Sequence, residues 1–168
     1  ELLSFRPRVE KLVSKDVKLR TFIASDADRD SMVASVYDTT YEVIRQGIDT
    51  LVVIDDSIVR GTTLEKSILT TLERLKPKRI VIVSSAPQIR YPDCYGIDMS
   101  RMKEFIAFRA AIELLKERGM ENVLDQVYAQ CVAHPDHTEN FVKQVYASFT
   151  EEEISDKVAQ IVTTSDIK

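Results

Sequence analysis

The sequence predicts an α/β fold: a parallel sheet with flanking helices, followed by a helical C-terminal extension. Three observations carry that expectation. Leu51-Val52-Val53-Ile54 is an apolar run without alternation, which suits a strand buried on both faces of a parallel sheet. Arg79-Ile80-Val81-Ile82-Val83-Ser84 is a second run of the same kind. Between them Leu64, Ile68, Leu69, Leu72 and Leu75 recur at helical spacing, and beyond Arg101 every periodicity is helical.

In chain order, the basic stretch from Arg6 to Lys15 spaces Val9, Leu12 and Val13 for a short amphipathic helix, with Pro7 in its first turn. Val17 to Ala24 alternates apolar and polar residues and reads as a strand. Ser25-Asp26-Ala27-Asp28-Arg29-Asp30 is an acidic helix start rather than a metal cluster. Met32, Val33, Val36, Tyr37, Thr40, Tyr41 and Ile44 then share one face of a helix that packs on the sheet and stops at Gly47. The next helix ends before Pro77, so Leu51 to Ser85 forms a strand-helix-strand unit with a right-handed crossover. Ser85 to Met99 is a proline-pinned loop leaving the carboxyl end of the second strand. A helix from Arg101 to Arg118 buries Phe105, Ile106, Ala110, Ile112, Leu114 and Leu115 and ends at Gly119. Another places Met120, Val123, Leu124, Val127, Tyr128 and Cys131 on one face, where Cys131 reads as a core residue. Two short helices, Phe141 to Phe149 and Glu151 to Val162, close the chain, and Thr150 with Glu153 is a capping box.

Composition narrows the function. At 168 residues the chain suits one domain, or one with an appendage, and a formal charge of −4 argues against a general nucleic-acid binder. No apolar run reaches the length of a membrane span, and the first residues lack the basic start and apolar core of a signal peptide. Glu1 reads as the start of an excised piece of a longer chain. Cys94 and Cys131 make no disulfide framework, so a reducing cytoplasm is expected. Two cysteines also cannot ligate a four-cysteine iron–sulfur cluster. His134-Pro135-Asp136-His137 has no cysteine pair to complete a zinc site and reads as a polar loop.

The chemistry concentrates between Leu51 and Thr63. Asp55 and Asp56 end a strand, where ligands of parallel sheets bind. Two adjacent carboxylates can accept hydrogen bonds from a vicinal diol or hold a hard cation such as Mg²⁺. The loop that follows has the parts of a phosphate cradle. Gly61 permits close backbone approach, and Thr62 with Glu65 has capping-box spacing at a helix start, whose free amides attract anions. Arg60 can add positive charge. Hydroxyls at the acid pair and a phosphate in the loop describe a ribose 5-phosphate.

The segment Asp55-Asp56-Ser57-Ile58-Val59-Arg60-Gly61-Thr62-Thr63 resembles the phosphoribosyl pyrophosphate (PRPP) signature of type I phosphoribosyltransferases, and most closely that of the glutamine amidophosphoribosyltransferases. The Ser85-Ala86-Pro87 start and the Tyr95-Gly96-Ile97-Asp98 end of the long loop resemble that family too. The similarity runs from about Asp16 to Ala107. It implies a partial type I phosphoribosyltransferase fold, Rossmann-like, over residues 1–119, with residues 120–168 as the helical extension. The implied activity is displacement of pyrophosphate from PRPP by glutamine-derived ammonia, giving 5-phosphoribosylamine. In the roles the resemblance implies, Asp55 and Asp56 are catalytic and hold Mg²⁺ and the ribose hydroxyls. Ser57, Arg60, Gly61, Thr62 and Thr63 line the 5-phosphate site, and Arg20, or else Lys18, helps hold the pyrophosphate. The long loop is expected where ammonia and PRPP meet.

The family joins the two strands before the signature by a shorter link than this chain has. Its glutaminase domain, with an N-terminal cysteine nucleophile, would lie elsewhere in the same chain. Neither Cys94 nor Cys131 can stand in for that nucleophile. The isolated piece is therefore expected to make no phosphoribosylamine and to release no ammonia from glutamine. By analogy the family implies a homo-oligomer, with no nucleic-acid or membrane partner. The other reading is a non-catalytic, PRPP-binding regulatory protein on the same fold, similar to the purine repressors of some bacteria.

Overall fold

The computed structural model describes residues 8–9, 13–15, 37–39, 43–62, 64–93, 99–135 and 139–163. They fall into two compact units, residues 1–53 with 63–83, and residues 54–62 with 84–168.

In the first unit, β1 (Val13–Lys15) pairs antiparallel with β2 (Tyr37–Thr39), Val13 opposite Thr39 and Lys15 opposite Tyr37. Helical periodicity predicts helices through both segments. The pairing partners include Val13, Tyr37 and Thr39, β-branched or aromatic residues that favour extended backbone, and a pairing this distant leaves no local signal. The predicted strand from Val17 to Ala24 and the acidic helix start lie outside the described residues.

β3 (Thr50–Asp55) and β4 (Arg79–Ser84) form a two-stranded sheet within a residue of the predicted bounds. They run parallel. The Lys78 amide donates to the Asp49 carbonyl at 2.8 Å where the strands begin, and Ser85 donates to Asp55 at 2.9 Å where they end. The turn before β3 is closed by Arg45, whose guanidinium and amide both donate to the Asp49 carboxylate. Burial along β3 alternates rather than covering both faces: Val52 is 64% and Ile54 76% exposed, while Leu51, Val53 and Asp55 are half-buried. The unalternating apolar run was therefore misleading about the second face.

Thr62 begins a helix, as its position predicts, but Leu64–Leu69 is wound as π-helix before α1 (Thr70–Glu73). The Thr70 hydroxyl donates to the Glu65 carbonyl five residues back, at 3.0 Å, which suits the wider winding. Leu64, Leu69, Leu72 and Leu75 are buried, the stripe expected from their spacing. Lys76 ends the helix at φ 52 with its amide on Glu73, just before Pro77.

The second unit is built around α2 (Ile106–Glu117), α3 (Asn122–Ala133), α4 (Lys143–Tyr146) and α5 (Glu151–Thr163). The predicted helix from Arg101 starts five residues late, because Met102–Glu104 is a 3₁₀ turn and Phe105 is extended. Ala107, Ala110, Ala111, Leu114 and Leu115 of α2 form one core with Val127, Val145, Tyr146, Phe149 and Ile154. Alanines at three of these positions let α5 approach α2 closely, and Lys157 of α5 donates to Glu117 of α2 at 2.6 Å. Gly119 takes φ 65 and frees the Met120 amide to cap Leu115 at 2.8 Å. On α3, Cys131 is exposed and Tyr128 is 73% exposed, against the expectation that both face the core. The seam against α4 instead runs through Gln130, which accepts from Gln144 at 2.8 Å, and the last turn of α3 overhangs the core. Among the described residues no helix is long and apolar enough to cross a membrane.

The Thr150 capping box forms as predicted: Glu153 donates its amide to the Thr150 hydroxyl, and its carboxylate accepts from the Thr150 amide at 2.8 Å. That amide, with the Arg118 guanidinium, holds the Glu153 carboxyl below its ordinary value of 4.5. A carboxyl depressed in the folded state stabilises the fold above its unfolded pKa, and the contribution is lost as pH falls through the lowered folded value. Thermal unfolding across the acid range should therefore show Glu153→Gln less stable than wild type near neutrality. The gap should narrow as pH falls through the acid range and close below the lowered folded pKa. A gap independent of pH would contradict this account.

Candidate functional site

Asp55 and Asp56 sit where β3 ends. Where the strands end the chain after β4 bends, and two adjacent amides turn to the pair: Ser85 donates to the Asp55 carbonyl at 2.9 Å and Ala86 to the Asp56 carbonyl at 3.0 Å. The Ser85 hydroxyl adds a second bond to the Asp56 carbonyl, also 3.0 Å. The start of the long loop is thus brought to the acid pair, as its place after β4 suggests. Each carboxylate is oriented by the next backbone amide, Asp55 Oδ1 by Asp56 at 2.9 Å and Asp56 Oδ1 by Ser57 at 2.6 Å. Among the described residues, these are the hydrogen bonds that the two carboxylates accept. No group of three or more His, Cys, Asp and Glu residues lies close enough to hold a metal among the described residues. Two carboxylates suffice for Mg²⁺, which keeps waters and takes phosphate oxygens for the rest of its shell.

The loop after the acid pair is fastened to the start of α2 at three points. The Ile106 amide donates to the Val59 carbonyl at 2.8 Å. Arg60 pairs with Glu104 at 2.7 Å, both side chains about one-quarter exposed, and Arg101 approaches the same carboxylate at 3.4 Å. Gly61 takes φ +75 and is buried under the Ile106 side chain. A Cβ there would overlap Ile106 Cδ1 and lie 3.4 Å from its Cγ1. Glycine is therefore favoured by its backbone angle, and a larger residue would also have to displace the end of the Ile106 side chain.

Of the predicted site residues, the structure assembles Asp55, Asp56, Ser57, Arg60, Gly61 and Thr62 on one short segment. Arg20 and Thr63 lie outside the described residues, as does Tyr95 to Asp98 of the long loop. Sequence reasoning missed Glu104 and Ile106. Both fall within the helix that the spacing predicts from Arg101, Ile106 on its buried stripe, and no local pattern ties them to a loop more than forty residues earlier.

No family model matches the chain. Curated relatives do. It is 43% identical over 77 residues to an amidophosphoribosyltransferase of Pasteurella multocida, covering 45% of this chain and 15% of that protein. It is 35% identical over 118 residues to that of Pyrococcus horikoshii, covering 70% of this chain and 25% of that protein. A match that long in a chain of this length cannot avoid its middle, so it takes in Asp55 to Thr62. A solved structure described as the allosteric regulatory enzyme of purine biosynthesis is 35% identical, with a TM-score of 0.45, over 66% of this chain and 24% of that one. The chain spans a quarter or less of the length of these relatives. The resemblance read from the sequence is borne out: the chain is similar to part of the amidophosphoribosyltransferases.

Gly61→Ala tests the packing of the loop. It should destabilise the protein by about 2 kcal/mol, from positive φ and the overlap with Ile106 together. In the Ile106→Ala background the added cost should fall to about 1 kcal/mol, because only the backbone term remains. Urea denaturation of the four proteins of this double-mutant cycle measures the difference. Additive effects would mean that Ile106 does not press on the glycine.

Proposed function

We propose that this chain is part of an amidophosphoribosyltransferase and carries its ribose phosphate site. Ammonia attacks C1 of PRPP and the C1–O bond to pyrophosphate breaks, its electron pair leaving with pyrophosphate. The new amine loses a proton to solvent, giving 5-phosphoribosylamine. The carrying observation is the placing of two oriented carboxylates and a glycine-bearing loop at the carboxyl ends of β3 and β4. The matched relatives bear the enzyme's name, which favours catalysis over the regulatory reading.

The chain's part in such a reaction is to bind and orient. The free oxygens of Asp55 and Asp56 can accept hydrogen bonds from the ribose 2- and 3-hydroxyls, which fixes the ring while C1 gains positive, oxocarbenium-like character. Ser57, Arg60, Gly61, Thr62 and Thr63 form the 5-phosphate site, where backbone amides meet the anion. Arg20 is assigned to the pyrophosphate. Mg²⁺, when bound at Asp55 and Asp56, supplies charge neutralisation for the leaving pyrophosphate. No side-chain nucleophile is needed, since holding the reactants in line and stabilising charge account for the rate. The ammonia would come from glutamine, released by a glutaminase domain of the same chain. A cytoplasmic homo-oligomer is part of the same reading.

Calorimetric titration of the full-length protein with PRPP and Mg²⁺ tests this, beside an Asp55→Asn, Asp56→Asn double variant. The variant should bind PRPP at least about 10-fold more weakly, a change of about 1.4 kcal/mol or more. Equal affinity in the two proteins would remove the acid pair from the site.

A further inference from the structure

The C-terminal helices have no assigned role in the reading above, yet they hold the loop that follows β4. Gln88 lies at the centre of that contact. Its side-chain amide donates to the Glu151 carbonyl at 2.7 Å and to the Ser155 hydroxyl at 2.8 Å, both on α5. Its carbonyl oxygen accepts two bonds from Arg90, at 2.8 and 3.1 Å. Arg90 in turn stacks over the Tyr146 ring of α4, 5.2 Å from the ring centroid. The Tyr146 hydroxyl donates to the Arg90 carbonyl at 2.9 Å, and Tyr91 meets the same ring edge-on at 5.8 Å. Burial, and then Tyr91, raise the Tyr146 pKa well above the ordinary tyrosine value, so this donor keeps its proton under all physiological conditions.

Three residues before Gln88, the same loop is bonded to the acid pair through Ser85 and Ala86. The Ser84 hydroxyl stiffens the join by donating to the Ala86 carbonyl at 2.8 Å. Pro87 restricts the backbone between the two anchorages. One end of a short, stiff segment is therefore tied to Asp55 and Asp56, and the other to α4 and α5.

We propose that Gln88, Arg90 and Tyr146 are positioning residues through which the C-terminal helices fix the backbone of the Asp55–Asp56 pair. They touch no reacting atom. Their effect on the ligand rests on the ribose phosphate reading of the site, but their effect on the pair itself does not.

The test separates the two. In the full-length protein without ligand, hydrogen exchange at the Ser85 and Ala86 amides reports directly on the bonds to Asp55 and Asp56. Gln88→Ala and Tyr146→Phe should each speed that exchange by about fivefold, the effect of losing one hydrogen bond, while the amides of Leu115 and Ile154 keep their protection. Gln88→Glu keeps the acceptor for Arg90 and loses the donor to α5, so it should behave like Gln88→Ala. Unchanged exchange at Ser85 and Ala86 overturns the proposal, as does a rise matched at Leu115 and Ile154, which would mark general loosening. PRPP titration of the same variants tests the ligand half, with weaker binding by about threefold expected in Gln88→Ala. If wild type itself binds no PRPP, the reading of the site fails, and the exchange result still decides whether the helices position the pair.

Discussion

The site depends on backbone hydrogen bonds made just beyond the paired strands. Parallel pairing of β3 with β4 would ordinarily end where the side chains turn polar. Here two more bonds follow the strands: the adjacent amides of Ser85 and Ala86, in a bend rather than a continued ladder, both turn to the carbonyls of Asp55 and Asp56. A carboxylate on a free loop loses orientation with every backbone fluctuation. These two are held from behind by their carbonyls and from the side by the amides that bond their Oδ1 atoms. Each bond is worth only about 1 kcal/mol net, but together they remove the freedom that a bound ligand would otherwise have to freeze.

What the sequence made legible follows from what is local. The bounds of β3 and β4, the buried leucines between them and the Thr150–Glu153 capping box all depend on neighbours a few residues away. The acid pair and Gly61 were legible for the same reason, since strand, loop and helix start are contiguous. The rest depended on distant partners. Val13–Lys15 and Tyr37–Thr39 pair across more than twenty residues, and helical spacing in each concealed it. An unalternating run predicts two buried faces only if both find cover, and Val52 and Ile54 show one that does not. Helical spacing put Tyr128 and Cys131 in line with Val127, yet a helix end that overhangs its core exposes whatever the spacing says.

Arg60 shows how a distant partner changes the chemistry of a short motif. A loop arginine shortly after two aspartates has an obvious neighbour in sequence, yet it also finds a distant one. Its charge is met by Glu104 at 2.7 Å, across a span that no sequence window covers. In the proposed ribose phosphate site, Arg60 would reach an anion only by sharing itself with Glu104 or leaving it. At a quarter exposure such a pair is worth on the order of 1 kcal/mol. A phosphate dianion offers a guanidinium at least as strong a partner as a carboxylate. The exchange would be close to even in energy, so on the proposed reading binding strength at the loop would come chiefly from backbone amides. That places the weight on loop geometry, which Ile106 sets by covering Gly61 and bonding Val59. The first residue of α2 thus governs a loop that its own helix never enters.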